Sequence, residues 1–263
     1  MSATEIEAGA VPAAGTAPGP PLRLRASRAS LALLRELLAE AELDPDVLAR
    51  LVESDPAVTV HVLQRANLGS AAGEERDTVA QAIETLDRPA VTAVLDELAP
   101  AALDAVPQLW RVLARALACE RLAKDHRGYT VGLLSALGDL HGLPATDLLS
   151  TAGVSGVVAE AVLAHRGRCG AALGALLGYL ADDPAPIARH GFDPASVYDA
   201  YVRGATTAMT TQSLIAEQGG RADHAVQDVR VAQVPQPWSR ATRDAREVRP
   251  PVGAGASPSE EHR

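Results

Sequence analysis

The chain has 263 residues, room for one large domain or two small ones, and its 47% hydrophobic content supports a sizeable core. Aromatic residues make up only 3%, so that core must be built from Leu, Val and Ala, of which Leu and Ala favour helices and Ala lets them approach closely. The net charge is −9, and the acidic excess falls in residues 29–217, where 14 Lys and Arg stand against 25 Asp and Glu; this disfavours nucleic-acid binding through a broad basic face.

Residues 1–28 are rich in Ala, Gly and Pro, show no sustained period, and carry neither the basic start nor the apolar run of a secretory signal; a disordered tail is expected. Leu31, Leu34, Leu37 and Leu38 mark a first helix. Asp44-Pro45 and Asp55-Pro56 open two more, since an Asp side chain accepts the free N–H groups of a first turn and Pro needs none there. Val47, Leu48, Leu51 and Val52 form the apolar face of one, and Val58, Val62, Leu63 and Ala66 that of the other, at helical spacing. Further helices are expected over about 78–86, 89–98, 107–124, 130–141, 154–165, 170–181 and 194–216. Asp183-Pro184 and Asp193-Pro194 repeat the punctuation, and no run alternates with period two over a convincing length.

The expected fold is therefore all-α. Residues 29–217 form a compact multi-helix bundle, in two lobes with a seam near Pro100–Pro107, and residues 218–263 form a disordered Pro/Arg-rich tail in which Trp238 is the candidate anchor for a partner. Charges interrupt every apolar stretch, so no membrane span is expected. Cys119 and Cys169 form no Cys-x-x-Cys pattern, and a cytoplasmic protein with free thiols is the expectation.

Gly132-Leu133-Leu134-Ser135-Ala136-Leu137-Gly138 reads as the Gly-Leu-Leu-His-Asp-Ile-Gly segment of metal-dependent HD phosphohydrolases with Ser-Ala in place of His-Asp. The stretch from Leu31 to about Asp183 resembles the HDOD domain, a non-catalytic relative of those enzymes. Leu51 to Val58 is similar to its Ile-x-x-Asp-Pro-x-Leu helix junction. Leu63-Gln64-Arg65-Ala66-Asn67 is similar to its Leu-Leu-x-x-Ala-Asn-Ser element, with Leu68 where Ser is usual, and Val79 to Leu86 to its next helix, with Asp87 where Gly is usual. Leu143-Pro144, Asp147-Leu148-Leu149, Val154-Ser155 and Tyr179 to Asp183 resemble the HDOD half of EAL-HDOD signalling proteins. Only the short tail lies upstream, so the EAL domain that handles cyclic di-GMP in those proteins is expected to be absent.

The resemblance implies lost chemistry. An HD metal site needs a His from an earlier helix, the adjacent His-Asp pair and a later Asp or His; the matching positions here are Val112, two residues after Trp110, then Ser135 and Ala136, with His165 near the last. One imidazole cannot hold a catalytic metal, so no catalytic, cofactor-binding or metal-ligating residue and no cofactor is expected. Ser135 has no neighbouring base and no strand-turn-helix elbow, which disfavours a nucleophilic role. Asp55 and Pro56 are expected to start a helix, Asn67 to close it by its side chain or a left-handed backbone, and Gly132 and Ser135 to mark the retained frame. Trp110 is expected to be a core anchor joining the two lobes; exposed, it would instead mark an interface hot spot. His61 and His165 are expected on helices in structural roles, and Arg166 and Arg168 in a solvated basic turn.

The function expected is a non-enzymatic signalling module with a protein partner, without nucleic acid or membrane. The alternative is a residual phosphohydrolase or nucleotide-binding sensor in a remodelled pocket around Ser135, Asp139 and His165. A helix-turn-helix regulator is disfavoured by the acidic region.

Overall fold

In the computed structural model the described residues are 24–219; the expectations for residues 1–23, for 220–263 and for Trp238 lie outside them. The described residues form twelve α-helices: α1 (Arg28–Ala39), α2 (Pro45–Glu53), α3 (Pro56–Asn67), α4 (Val79–Thr85), α5 (Arg88–Leu98), α6 (Leu109–Ala123), α7 (Arg127–His141), α8 (Ala145–Ala152), α9 (Gly156–Ala164), α10 (Gly167–Leu180), α11 (Pro184–Arg189) and α12 (Pro194–Gly219). No strand occurs among them; Ser27 and Leu103 form an isolated bridge.

The Asp-Pro punctuation works as the sequence implies. Asp44, Asp55 and Asp183 accept first-turn N–H groups of α2, α3 and α11, and Asp193 accepts the Ser196 N–H at 3.0 Å at the start of α12. Asp87, standing where the HDOD pattern has Gly, caps α5 by accepting the Ala90 N–H at 2.9 Å. The helices α8 and α11 were not anticipated. They have eight and six residues, too few for a periodic signal to emerge.

Packing is organised around α6, which lies against α7, α10 and α12. Gly132 of α7 rides directly on its backbone: a Cβ there would meet the Arg115 carbonyl oxygen at 2.7 Å and the Ala116 Cα at 2.8 Å. On α12, Gly204 makes the same kind of approach, 2.7 Å from the Ala114 carbonyl oxygen. Small residues thus let both neighbours close on α6. Cys119 is fully buried there, as core filler.

One apolar cluster among the described residues has members on both sides of Pro100–Pro107, from Leu24 to Ala200. One expectation needs correction. Order begins before residue 29. Leu24 and Ala26 are buried, Leu103 N–H donates to Ala26 C=O at 2.9 Å, and Asp55 Oδ2 accepts the Ser27 N–H at 2.7 Å. These partners lie 28 and more residues away, so no local pattern announces them.

Replacing Gly132 by Ala is expected to lower unfolding free energy by about 1–3 kcal/mol, because the two nearest atoms it meets are backbone and cannot swing aside. Gly156→Ala, whose Cβ meets nothing, is expected to be neutral or slightly stabilising. Asp55→Ala leaves the N–H groups of Ser27, Ala57 and Val58 without their acceptor and is expected to cost about 2–3 kcal/mol. Urea denaturation of the three variants beside the wild type measures all three effects.

Candidate functional site

The positions that match the HD metal ligands lie on two helices in mutual contact. Val112 of α6 is 2% exposed and Ala136 of α7 is 5% exposed, so both are apolar core. Ser135 is half-buried, and the polar contact made to its side chain comes from Arg115, whose Nη1 donates to its Oγ at 3.4 Å. The same nitrogen pairs with the Asp139 carboxylate, one turn along α7 from Ser135. A largely buried guanidinium therefore ties α6 to α7 at Ser135, with its charge balanced by an exposed carboxylate. Arg115 was missed in the sequence, since nothing local links it to positions 20 and 24 residues later.

The structure joins Ser135 to Asp139 but places His165 with His190. His165 is the left-handed cap of α9 (φ 52°), and its ring meets that of His190 edge-on at 6.2 Å between centroids. Burial and the neighbouring imidazole hold His165 below its ordinary pKa. His61 lies on α3, with Nδ1 2.8 Å from the Ala57 carbonyl oxygen. Among the described residues no group of three or more His, Cys, Asp or Glu is gathered to hold a metal ion.

The remaining motif residues are tie points. Asp55, 1% exposed, receives two N–H groups of α3 and the Ser27 N–H. Burial pushes its carboxyl above the usual range, opposed by those donors. Asn67 is the last residue of α3 but closes it neither by its side chain nor by a left-handed backbone; its side chain reaches across the fold, where Oδ1 accepts the Arg76 N–H at 2.7 Å and Nδ2 donates to the carbonyls of Arg76 and Ala152. Asp77 completes the clasp by accepting both the N–H and the hydroxyl of Ser155, the residue that caps α9. Thr130 Oγ1 donates to the Asp77 carbonyl at 2.6 Å. Trp110 is corrected: it is 37% exposed and anchors no lobes. The buried face of α6 is Leu109, Val112, Leu113 and Ala116, which leaves position 110 on its outer side.

Two features lie beside this region. Tyr129 of α7, fully buried, donates its hydroxyl to the Glu53 carbonyl at the end of α2, and Thr59 donates to Val52 C=O at 2.9 Å. These bonds satisfy carbonyls that a helix end leaves open. They also hold Glu53 near Glu120, which bonds His126 at 2.7 Å. Burial first, then the Glu120 charge, pushes the Glu53 carboxyl up to about 8, against the pull of His126 and Arg50. The second feature is an apolar groove of about 380 Å³ whose walls include Leu24, Pro56, Val106, Leu109, Val112 and Leu137.

The fold is similar to solved structures of the MmoQ response regulator from Methylococcus capsulatus str. Bath. One matches with a TM-score of 0.53 at 20% identity over 68% of this chain and 97% of that chain. A second, of a fragment of the same protein, gives 0.51 at 21% identity over 65% and 92%. No family model matches the chain and no curated protein matches it. At this identity the likeness shows the fold alone. Among the described residues no helix is long and apolar enough to cross a membrane.

Glu53 makes stability depend on pH in a definite direction. Its folded value of about 8 exceeds its ordinary 4.5, so the stability due to the retained proton is complete below pH 4.5 and is lost as pH rises towards 8. Glu53→Gln keeps a neutral group at all pH. The variant is expected to match the wild type near pH 4.5 and to melt higher by at least about 2–4 °C at pH 8.5, the shift that ~1 kcal/mol gives in a domain of this size. Thermal denaturation at both pH values measures it; equal differences at the two pH values would refute the assignment.

Proposed function

We propose that the chain is an HDOD-type, non-enzymatic interaction module of bacterial signal transduction that binds a protein partner in the cytoplasm, with cyclic di-GMP signalling as the pathway indicated by its resemblance to EAL-HDOD proteins. The observation that carries this reading is the closure at Ser135: Val112 and Ala136 are buried hydrocarbon, and Arg115 is bonded to Ser135 and paired with Asp139. A fixed guanidinium charge at that point repels a cation instead of ligating one. Similarity to a response regulator fold agrees with a signalling role, although a fold by itself assigns no chemistry.

An adaptor needs an apolar surface that its own core does not use. Trp110 on α6 is 37% exposed, and Tyr198, Val202 and Met209 of α12 are 56%, 40% and 56% exposed at spacings of four and seven residues, which align them along one face. Exposed aromatic and aliphatic groups of this kind are typical anchors of a protein interface.

The test pairs chemistry with binding on the purified full chain. Elemental analysis and incubation with cyclic di-GMP and related cyclic nucleotides are expected to give neither stoichiometric metal nor turnover; metal together with turnover would overturn the reading in favour of a remodelled phosphohydrolase. Affinity capture is expected to recover a partner that Trp110→Ala and Val202→Asp each weaken at least tenfold, the effect of losing ~1.4 kcal/mol at one anchor. Capture unaffected by both substitutions would remove the surface from the proposal.

A further inference from the structure

The 26-residue helix α12 uses only part of its circumference to hold its place. Val197, Ala200, Ala208 and Ile215 are buried and Gly204 rides on the Ala114 carbonyl, so one side of it lies on the body of the protein. Beside that face runs a second stripe at helical spacing. Its large members are Tyr198, Val202 and Met209, its small ones are Thr206 and Ser213, and all five are exposed.

Charge sets the stripe apart from the rest of the described surface. Residues 29–217 carry 14 Lys and Arg against 25 Asp and Glu, so two copies of the chain repel each other over most of their surfaces. From Pro194 to Ala216 the sequence holds one acid and one base, Asp199 and Arg203, and these pair with each other at 2.8 Å one turn apart. The stripe between Tyr198 and Ser213 is itself uncharged. A like-charged copy meets the least repulsion here, and a strongly charged partner finds little to pair with.

The order of side chains is also self-complementary, as a two-fold contact requires. Turned antiparallel about an axis between Ala205 and Thr206, two copies of α12 set Val202 against Met209 and bulky Tyr198 against small Ser213, each twice. Ala205 and Thr206 lie at the centre, where small residues let the helices come close. Asp199 is then level with Gln212 and Arg203 with Ala208, so no like charges oppose.

We propose that this face of α12 pairs with the same face of a second copy of the chain, giving a two-fold dimer. The inference rests on the reading of α12 as an interface and names its partner. From Tyr198 to Ser213 the stripe is about 22 Å long and one helix about 10 Å wide, less than the ~800 Å² per partner of a standard interface, so the dimer is reversible, with a dissociation constant of about 10–100 µM.

Sedimentation equilibrium of the full chain over a concentration series spanning that range measures it. Wild type is expected to pass from the mass of one chain towards that of two, and to associate more tightly in about 0.5 M salt, which screens the repulsion between two acidic bodies. Val202→Asp is expected to raise the dissociation constant at least tenfold by setting a carboxylate against hydrocarbon. Met209→Ser removes hydrocarbon without adding charge, is expected to raise it about fivefold, and carries the comparison if Val202→Asp unfolds. A short bis-maleimide is expected to link two copies of Thr206→Cys, beside the axis, and not of Thr210→Cys, the native Cys119 and Cys169 being buried. A monomer at every concentration overturns the proposal, and leaves the interface reading in place if a captured protein still depends on Val202. A dimer that survives both substitutions, or that Thr206→Cys does not link, overturns it as well, because the copies then meet elsewhere. A dimer with these properties in a protein that also shows metal and turnover supports the pairing while the adaptor reading fails.

Discussion

The contact between α6 and α7 at Gly132 is the constraint on which the other arrangements depend. Backbone meets backbone there, with no space for a side chain, and this sets the depth at which α7 lies on its neighbour. Arg115 supplies a carbonyl to that contact through its main chain and reaches Ser135 and Asp139 with its side chain, so the tie between the two helices at Ser135 follows from the same approach. One turn earlier Gly128 touches the backbone of Glu120, which brings the start of α7 and its His126 beside the acidic end of α6. On another side of α6, Gly204 draws in α12. A core poor in aromatic rings can be dense only if helices come this close.

Close packing of Leu, Val and Ala is not directional, and the fold takes its direction from a few buried polar groups. Asp55 binds the chain start to α3, while Asn67 and Asp77 bind the loop between α3 and α4 to the ends of α8 and α9 and, through Thr130, to α7. Each partner is satisfied, so each tie distinguishes one packing from slipped alternatives. Tyr129 does the same for α2 by meeting its terminal carbonyl. One consequence is less favourable: the half-buried Glu53 side chain on that carbonyl's residue lies beside the Glu120 charge, and its carboxyl is pushed above the usual range.

The likeness in fold to the solved structures and the residues found at positions 112, 135 and 136 are separate observations. The first concerns the path of the helices, and the second the groups left at one place along them. Val112 and Ala136 add to the core of these short, tightly packed helices. Exposed Trp110 and the outer face of α12 show where apolar surface exceeds what the interior uses.

The amino-acid sequence alone determined what short-range physics controls: helix starts at Asp44, Asp55 and Asp193, the leucine and valine faces, and the all-α class. A cap spans three residues and a helical face repeats every three or four, so both are visible in a short window. Trp110 is expected in the core and lies exposed, since two adjacent positions on a helix face different ways and only the neighbours select one. Arg115 with Asp139, Asp77 with Ser155, and Ala26 and Ser27 with Leu103 were decided by the tertiary structure. Those partners are 24 to 78 residues apart, and side chains at such separations meet only after the helices between them have packed.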